Sequence, residues 1–226
     1  MFKHDKQLLK EVRVDAPNPN YANMLTEQLG GPQGELKAAL QYMSQSFRIK
    51  DPKIKDLFLD IAAEELSHLE MVAQTINLLN GHNLEAEKAT VGSIETQVLT
   101  GLTPMLSNAS GYLFTASYVN ETGDLAADIL SNIAAEQRAK VVYQYLYRQI
   151  NDTGVRETID FLLNREEAHN TLFREALNMI QDTGSLQDWG VTQDSKVYFD
   201  MSTPGNYFDD LKNPQPPQFT SPDKQQ

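Results

Sequence analysis

Two short stretches carry the same pattern: Glu65-Leu66-Ser67-His68 and Glu166-Glu167-Ala168-His169. Residues three apart share a helix face, so each Glu would point the same way as its His. In both cases that way is into an otherwise apolar stripe, where a carboxylate is costly unless paired or bound to metal. No Lys or Arg shares the stripe within a turn of Glu65, and Arg165 faces about 100° away from Glu166. Two lone acids, Glu35 and Glu136, sit on other inward faces. Glu35 to Glu65 and Glu136 to Glu166 are both 30 positions apart, and the two sets are offset by 101. Such a match predicts a pseudo-two-fold site of four Glu and two His, the ligand set of dinuclear iron and manganese carboxylate bundles. One imidazole per metal among carboxylates suits manganese or iron and disfavours copper and thiophilic metals. Tyr42 lies seven residues after Glu35, two turns along the same face, within reach of the metals.

Taken singly, each piece has an ordinary explanation. Glu-x-x-His is common on helices, and Glu35 reads equally as an exposed acid. Lys140, four residues after Glu136, would make a surface pair with it. His68 and His169 could be hydrogen-bonded core residues. Only the combination is specific, and it takes two of the four His in the chain. His4 and His82 read as terminus and helix-end residues.

The elements that must position these groups are helices, from about residue 20 to 182. Pro19-Asn20 opens a first segment with Tyr21, Met24, Leu25 and Leu29 at helical spacing. Gly30-Gly31-Pro32 interrupts it before Glu35, Ala39, Tyr42, Met43 and Ser46 resume the pattern, giving one irregular helix or two pieces. A second helix has Asp51 as N-cap, Pro52 at its first position and Gly81 at its stop. Periodicity weakens from 81 to about 120, where a short helix fits. A third helix runs from Asp124 to about Asn151 and a fourth from Val155 to near Gly184. Four long helices, a short link within each pair and a long crossover between pairs predict an all-α, ferritin-like four-helix bundle. The predicted organisation is a bundle with an N-terminal arm over 1–182 and an extended tail over 183–226. That tail holds five of the ten prolines, so it cannot be a long helix. Its Trp189, Tyr198, Phe199, Tyr207 and Phe208 are expected to pack on the body or on a neighbouring subunit.

Composition removes other classes. With 19 Lys+Arg against 31 Asp+Glu, the net charge of −12 offers no footprint for nucleic acid or an anionic membrane. The absence of Cys excludes disulfides, zinc–thiolate sites, iron–sulfur clusters and thiol catalysis. It also removes the side chain most easily damaged by oxidants, which is compatible with oxidative chemistry. The opening Met1-Phe2-Lys3-His4-Asp5-Lys6 is charged, and nothing approaches the ~20 apolar residues of a membrane span. The expectation is a soluble cytoplasmic protein.

The sequence resembles the manganese catalases across almost its whole length. The stretches that carry the resemblance are Met1-Phe2-Lys3-His4, Leu29-Gly30-Gly31-Pro32-Gln33-Gly34-Glu35 and Lys55-Asp56-Leu57-Phe58-Leu59-Asp60. Glu64-Glu65-Leu66-Ser67-His68-Leu69-Glu70-Met71 and Phe161-Leu162-Leu163-Asn164-Arg165-Glu166-Glu167-Ala168-His169 complete it. The resemblance implies disproportionation of hydrogen peroxide at two manganese ions, in a homo-hexamer. It implies that Glu65 bridges the metals, with Glu35 and His68 on one and Glu136 and His169 on the other. Glu166 then becomes an outer acid/base rather than a ligand, and Tyr42 the tyrosine near the cluster. Asp56 and Asp60 match positions that bind calcium in some members, with Asp200 and Ser202 as tail partners. In one departure, Ala135 stands where well-known members carry an arginine that pairs with the outer acid, and Arg138, three residues on, is the candidate to replace it in part. Compact relatives occur as spore-coat proteins, so the other readings are spore association in a coat or assembly role with little activity, and a di-iron peroxidase or oxidase.

Overall fold

A computed structural model of the chain describes residues 7–81 and 105–182. His4, His82, the tail aromatics, Asp200 and Ser202 therefore lie outside the described residues. The chain divides into two units, Met1–Asn178 and Met179–Gln226, and everything described of the site belongs to the first.

Among the described residues the helices are α1 (Pro19–Gly30), α2 (Glu35–Ser46), α3 (Pro52–Leu79), α4 (Leu125–Gln149) and α5 (Thr153–Asp182). Among the described residues there is no strand, only an isolated bridge between Ser107 and Leu113 and a short 3₁₀ turn at Ala116–Tyr118. The predicted first helix is thus two pieces. Its break has a packing cause. A Cβ on Gly30 would stand 2.4 Å from the backbone nitrogen of Ser107, and one on Gly34 would stand 2.6 Å from the Gln28 carbonyl oxygen. Only glycine permits both approaches. Pro32 lies between them, so the chain restarts at Glu35 with Gly34 as the N-cap.

The other starts follow capping chemistry. Asn18 caps α1 by accepting from the backbone of Asn20 and Tyr21, and Asp51 caps α3 from Lys53 and Ile54. Asp124 caps α4 from Ala127. At the end of α3, Gly81 takes φ +98°, the left-handed value that favours glycine at a helix stop.

Helices α2 and α4 run antiparallel: Glu35 is opposite Tyr143, and Tyr42 is opposite Glu136. A closed set of amides sits beside them. Gln41 donates to Asn132 (2.8 Å), Asn132 donates to Gln45 (2.7 Å), and the Asn120 backbone donates to Gln41 (3.0 Å). One end of the bundle is apolar, built from Leu25 and Leu29 of α1, Met71, Val72 and Ile76 of α3, Leu146 of α4, and Val155, Ile159 and Leu162 of α5. Below that plug the polar residues gather.

Candidate metal centre

Glu35, Glu65, His68, Glu136, Glu166 and His169 are all at most 2% exposed. They form two groups of donor atoms, each within 4.8 Å of one another: Glu35, Glu65, His68 and Glu166, and Glu65, Glu136 and His169. Glu65 belongs to both. Its Oε2 is 3.2 Å from His68 Nδ1 and its Oε1 is 2.8 Å from His169 Nδ1. One carboxylate thus faces both rings, which stack at 5.5 Å and 21°. Glu166 stands in the first group as close as the others, so distance does not set it apart as an outer residue.

Two tyrosines hold the acids of the opposite helix. Tyr42 of α2 donates to Glu136 of α4, and Tyr143 of α4 donates to Glu35 of α2. Spacing alone places Tyr42 near the metals and assigns Tyr143 no role. The signal was present, because Tyr143 follows Glu136 by the seven residues that separate Tyr42 from Glu35. Tyr42 is braced edge-on by Phe173, which Phe58 braces in turn.

Two further groups were not anticipated. Lys37 is 2% exposed, and its Nζ has no hydrogen-bond partner. No pattern marks it, because its face is buried only by α2 meeting its neighbours. Glu64 lies on the far side of the histidines, 3.3 Å from His68 Nε2 and 3.4 Å from His169 Nε2, and is gripped by Arg165. Two smaller expectations change. Lys140 pairs with Glu167 (2.6 Å) rather than with Glu136, and Arg138 donates to Gln33 (2.7 Å). Ala135 is buried.

The electrostatics are those of too many acids in too little water. Burial, then the charge of Glu65, pushes Glu35 up to about 8. Burial and the surrounding carboxylates push Glu166 well above the usual range. Glu65 goes the other way: burial opposes its charge, but the His169 and His68 rings outweigh burial and hold it low. Burial also opposes a charged imidazole, yet the carboxylates prevail, raising His68 well above normal and His169 to about 12. Burial, then Arg138, lowers Lys37 to about 8. In the metal-free protein, protons therefore occupy part of this cluster.

The residues fit a metal pair. Buried Glu136 Oε2 and Glu166 Oε1 have no hydrogen-bond partner. Orphaned carboxylate oxygens are costly in a protein interior, and a cation answers them. The donors are oxygen-rich with two imidazoles and no sulfur, which matches manganese or iron. Of the calcium candidates, Asp56 and Asp60 are exposed on α3 and belong to neither donor group.

The family model for manganese containing catalase matches residues 1–188. A probable manganese catalase of Clostridium acetobutylicum is 65% identical over 98% of this chain and 99% of that one. The protein CotJC of Bacillus subtilis is 37% identical over 80% of this chain and 96% of its own. In three dimensions the chain is similar to KatB, a manganese catalase from Anabaena, with a TM-score of 0.74, 39% identity and coverage of 80% of this chain and 81% of that one. The chain belongs to the manganese containing catalase family, and its fold is the ferritin-like helical bundle of that family.

Proposed function

We propose that this chain disproportionates hydrogen peroxide, 2 H₂O₂ → O₂ + 2 H₂O, at two manganese ions held inside the bundle. The observation that carries the reading is the pair of donor groups sharing Glu65. Glu65 would bridge the ions, with Glu35 and His68 serving one and Glu136 and His169 the other. The bound manganese pair would supply the two-electron exchange that reduces one peroxide to water and oxidises another to dioxygen.

The chain's own residues would manage position and protons. Tyr42 and Tyr143 hold Glu136 and Glu35 by hydrogen bonds, fixing which oxygens remain free to face a cation. Glu166 is the proposed general acid/base. It is buried and raised well above the usual carboxyl range, so it can hold a proton at neutral pH and return it. Its Oε1 has no hydrogen-bond partner, so it is free to exchange that proton with peroxide. The apolar plug on one side restricts water, which strengthens each of these interactions.

Protein purified from manganese-supplemented cells should contain about two Mn per subunit and release oxygen from peroxide. Two Fe with peroxide consumed and no oxygen would indicate the iron reading, and bound manganese without turnover a structural one. Glu65→Ala should lose both metal and activity, and retention of either would overturn the site.

Two finer parts concern assembly and a second kind of ion. A homo-hexamer is proposed from the family together with exposed apolar side chains such as Phe47, Tyr112, Leu113 and Tyr145. Light scattering giving a monomer would reject it. Calcium at Asp56 and Asp60, with Asp200 and Ser202, is proposed from the resemblance and their i,i+4 placement on α3. Calcium content that is unchanged in Asp56→Ala would reject it. No described helix is long and apolar enough to cross a membrane, which is compatible with the proposed cytoplasmic location.

A further inference from the structure

We infer that Glu64, locked by Arg165, is a positioning residue shared by both metal sites, orienting His68 and His169 with one carboxylate. The inference rests on the dinuclear site proposed above.

The adjacent residues Glu64 and Glu65 enclose both rings. Glu65 faces the two Nδ1 atoms from inside, at 3.2 and 2.8 Å. Glu64 faces the two Nε2 atoms from outside, with Oε1 3.3 Å from His68 and Oε2 3.4 Å from His169. This is feasible because the rings stack nearly parallel, which brings their Nε2 corners side by side. Both Nε2 atoms are buried and lack a well-angled hydrogen-bond partner, so Glu64 is the acceptor that a small adjustment would engage.

An imidazole that binds a metal through one nitrogen carries its proton on the other, and an acceptor there fixes ring orientation and basicity. With Glu64 at both Nε2 atoms, coordination falls to both Nδ1 atoms, on the side of Glu35, Glu65, Glu136 and Glu166.

Arg165 fixes the carboxylate. Its Nε donates to Oε1 at 2.5 Å and its terminal nitrogen to Oε2 at 3.2 Å, a two-point grip that lysine cannot reproduce. The offset of 101 explains why the grip is asymmetric. Elsewhere it matches like with like: Glu35 with Glu136, Tyr42 with Tyr143, Glu65 with Glu166, His68 with His169. At 64 and 165 it matches acid with base. Two glutamates meeting there would repel; one glutamate with an arginine behind it can serve both rings.

The test is titration of metal-free protein with Mn²⁺, following bound metal by equilibrium dialysis and its pairing by electron paramagnetic resonance. Glu64→Ala removes the acceptor from both rings and should weaken both ions together, by about 10–100-fold. Glu64→Gln keeps an oxygen for one ring and turns an amide donor toward the other. It should bind one ion more tightly than the second and show uncoupled, mononuclear manganese at intermediate loading. Arg165→Met should weaken both ions, with Arg165→Lys recovering part of the loss. Wild-type affinity in Glu64→Ala, or the loss of only one ion, would overturn the proposal. If the Glu64 variants do not fold, wild-type binding by Arg165→Met overturns it. Wild-type protein that binds no manganese pair would instead sink the dinuclear reading itself.

Discussion

At the scale of the residue, the site is a set of charges that would not coexist without something between them. Lys37 shows it in reverse. Its charge is buried and has no hydrogen-bond partner. Its ordinary value of 10.5 falls to about 8, chiefly through burial. A lowered lysine costs stability in full below its folded value, and the cost disappears above its unfolded value. The shift corresponds to something on the order of 3 kcal/mol at neutral pH. Lys37→Met should therefore raise the melting temperature of the metal-free protein at pH 7, with the gain fading towards pH 10.5. Calorimetry across that range checks it, and a lower melting temperature at pH 7 would contradict it. The tyrosines make a paired expectation. Tyr42→Phe removes the donor to Glu136 and Tyr143→Phe the donor to Glu35. Each should weaken manganese mainly on its own side, by an amount equivalent to about 1.5–3 kcal/mol, the range for a hydrogen bond to a charged group. Dialysis would read this as one ion lost ahead of the other.

At the scale of the element, the break between α1 and α2 puts Glu35 where it is. Had the helix continued through 30–34, α2 would begin at another angle and Glu35 would not meet Tyr143. The glycines permit the break because backbone from the crossover reaches Gly30 and the end of α1 reaches Gly34. Gly30→Ala should destabilise the fold by about 1–3 kcal/mol, the range for overpacking a tight contact, and it should lower metal retention as well. Chemical denaturation with a metal assay reads both effects, and a variant as stable as wild type would show the approach to be slack. The amides of Gln41, Gln45, Asn132 and Asn120 tie α2, α4 and the end of the crossover together beside Glu136. Such a satisfied buried network favours one register between antiparallel helices over its neighbours.

At the scale of the whole molecule, the cluster links folding, protons and metal. Glu35, ordinarily 4.5, is near 8, and Glu166 lies well above its ordinary value. Raised acids hold protons in the folded chain that the unfolded chain has released, so their stabilisation is complete below about 4.5 and lost as pH rises through the folded value. His169, raised from 6.5 to about 12, and His68 add a loss of the same sign above 6.5. Glu64 and Glu65 are held low and act oppositely, losing their contribution as pH falls below 4.5. Metal-free protein should therefore be most stable near pH 4.5 and lose stability progressively from there to pH 8. Manganese replaces those protons, so its affinity should rise over the same interval and flatten the decline. Thermal melts from pH 5 to 8, with and without manganese, test the linkage. A metal-free melting temperature that climbs from pH 6 to 8 would contradict it.

What repeats along a helix is legible in the order of residues. Glu-x-x-His puts both groups on one face whatever the helix packs against, and the 101-residue offset made the two halves legible as a pair. Asp51 and Pro52 announced the start of α3 because capping is decided within a few residues. The same locality made the all-α bundle readable before any tertiary contact was known. Tertiary structure alone decided what crosses between helices. Tyr143 reaching Glu35, Lys37 buried without a partner, Lys140 turning to Glu167 and Glu64 spanning two rings all depend on register and rotation between helices. Those are fixed by packing over the whole core, to which distant residues contribute, and no short window of sequence contains them. Glu64 is the clearest instance: beside Glu65 in sequence, it is an outward acid on one helix, and it becomes part of the site only because α5 brings His169 against His68.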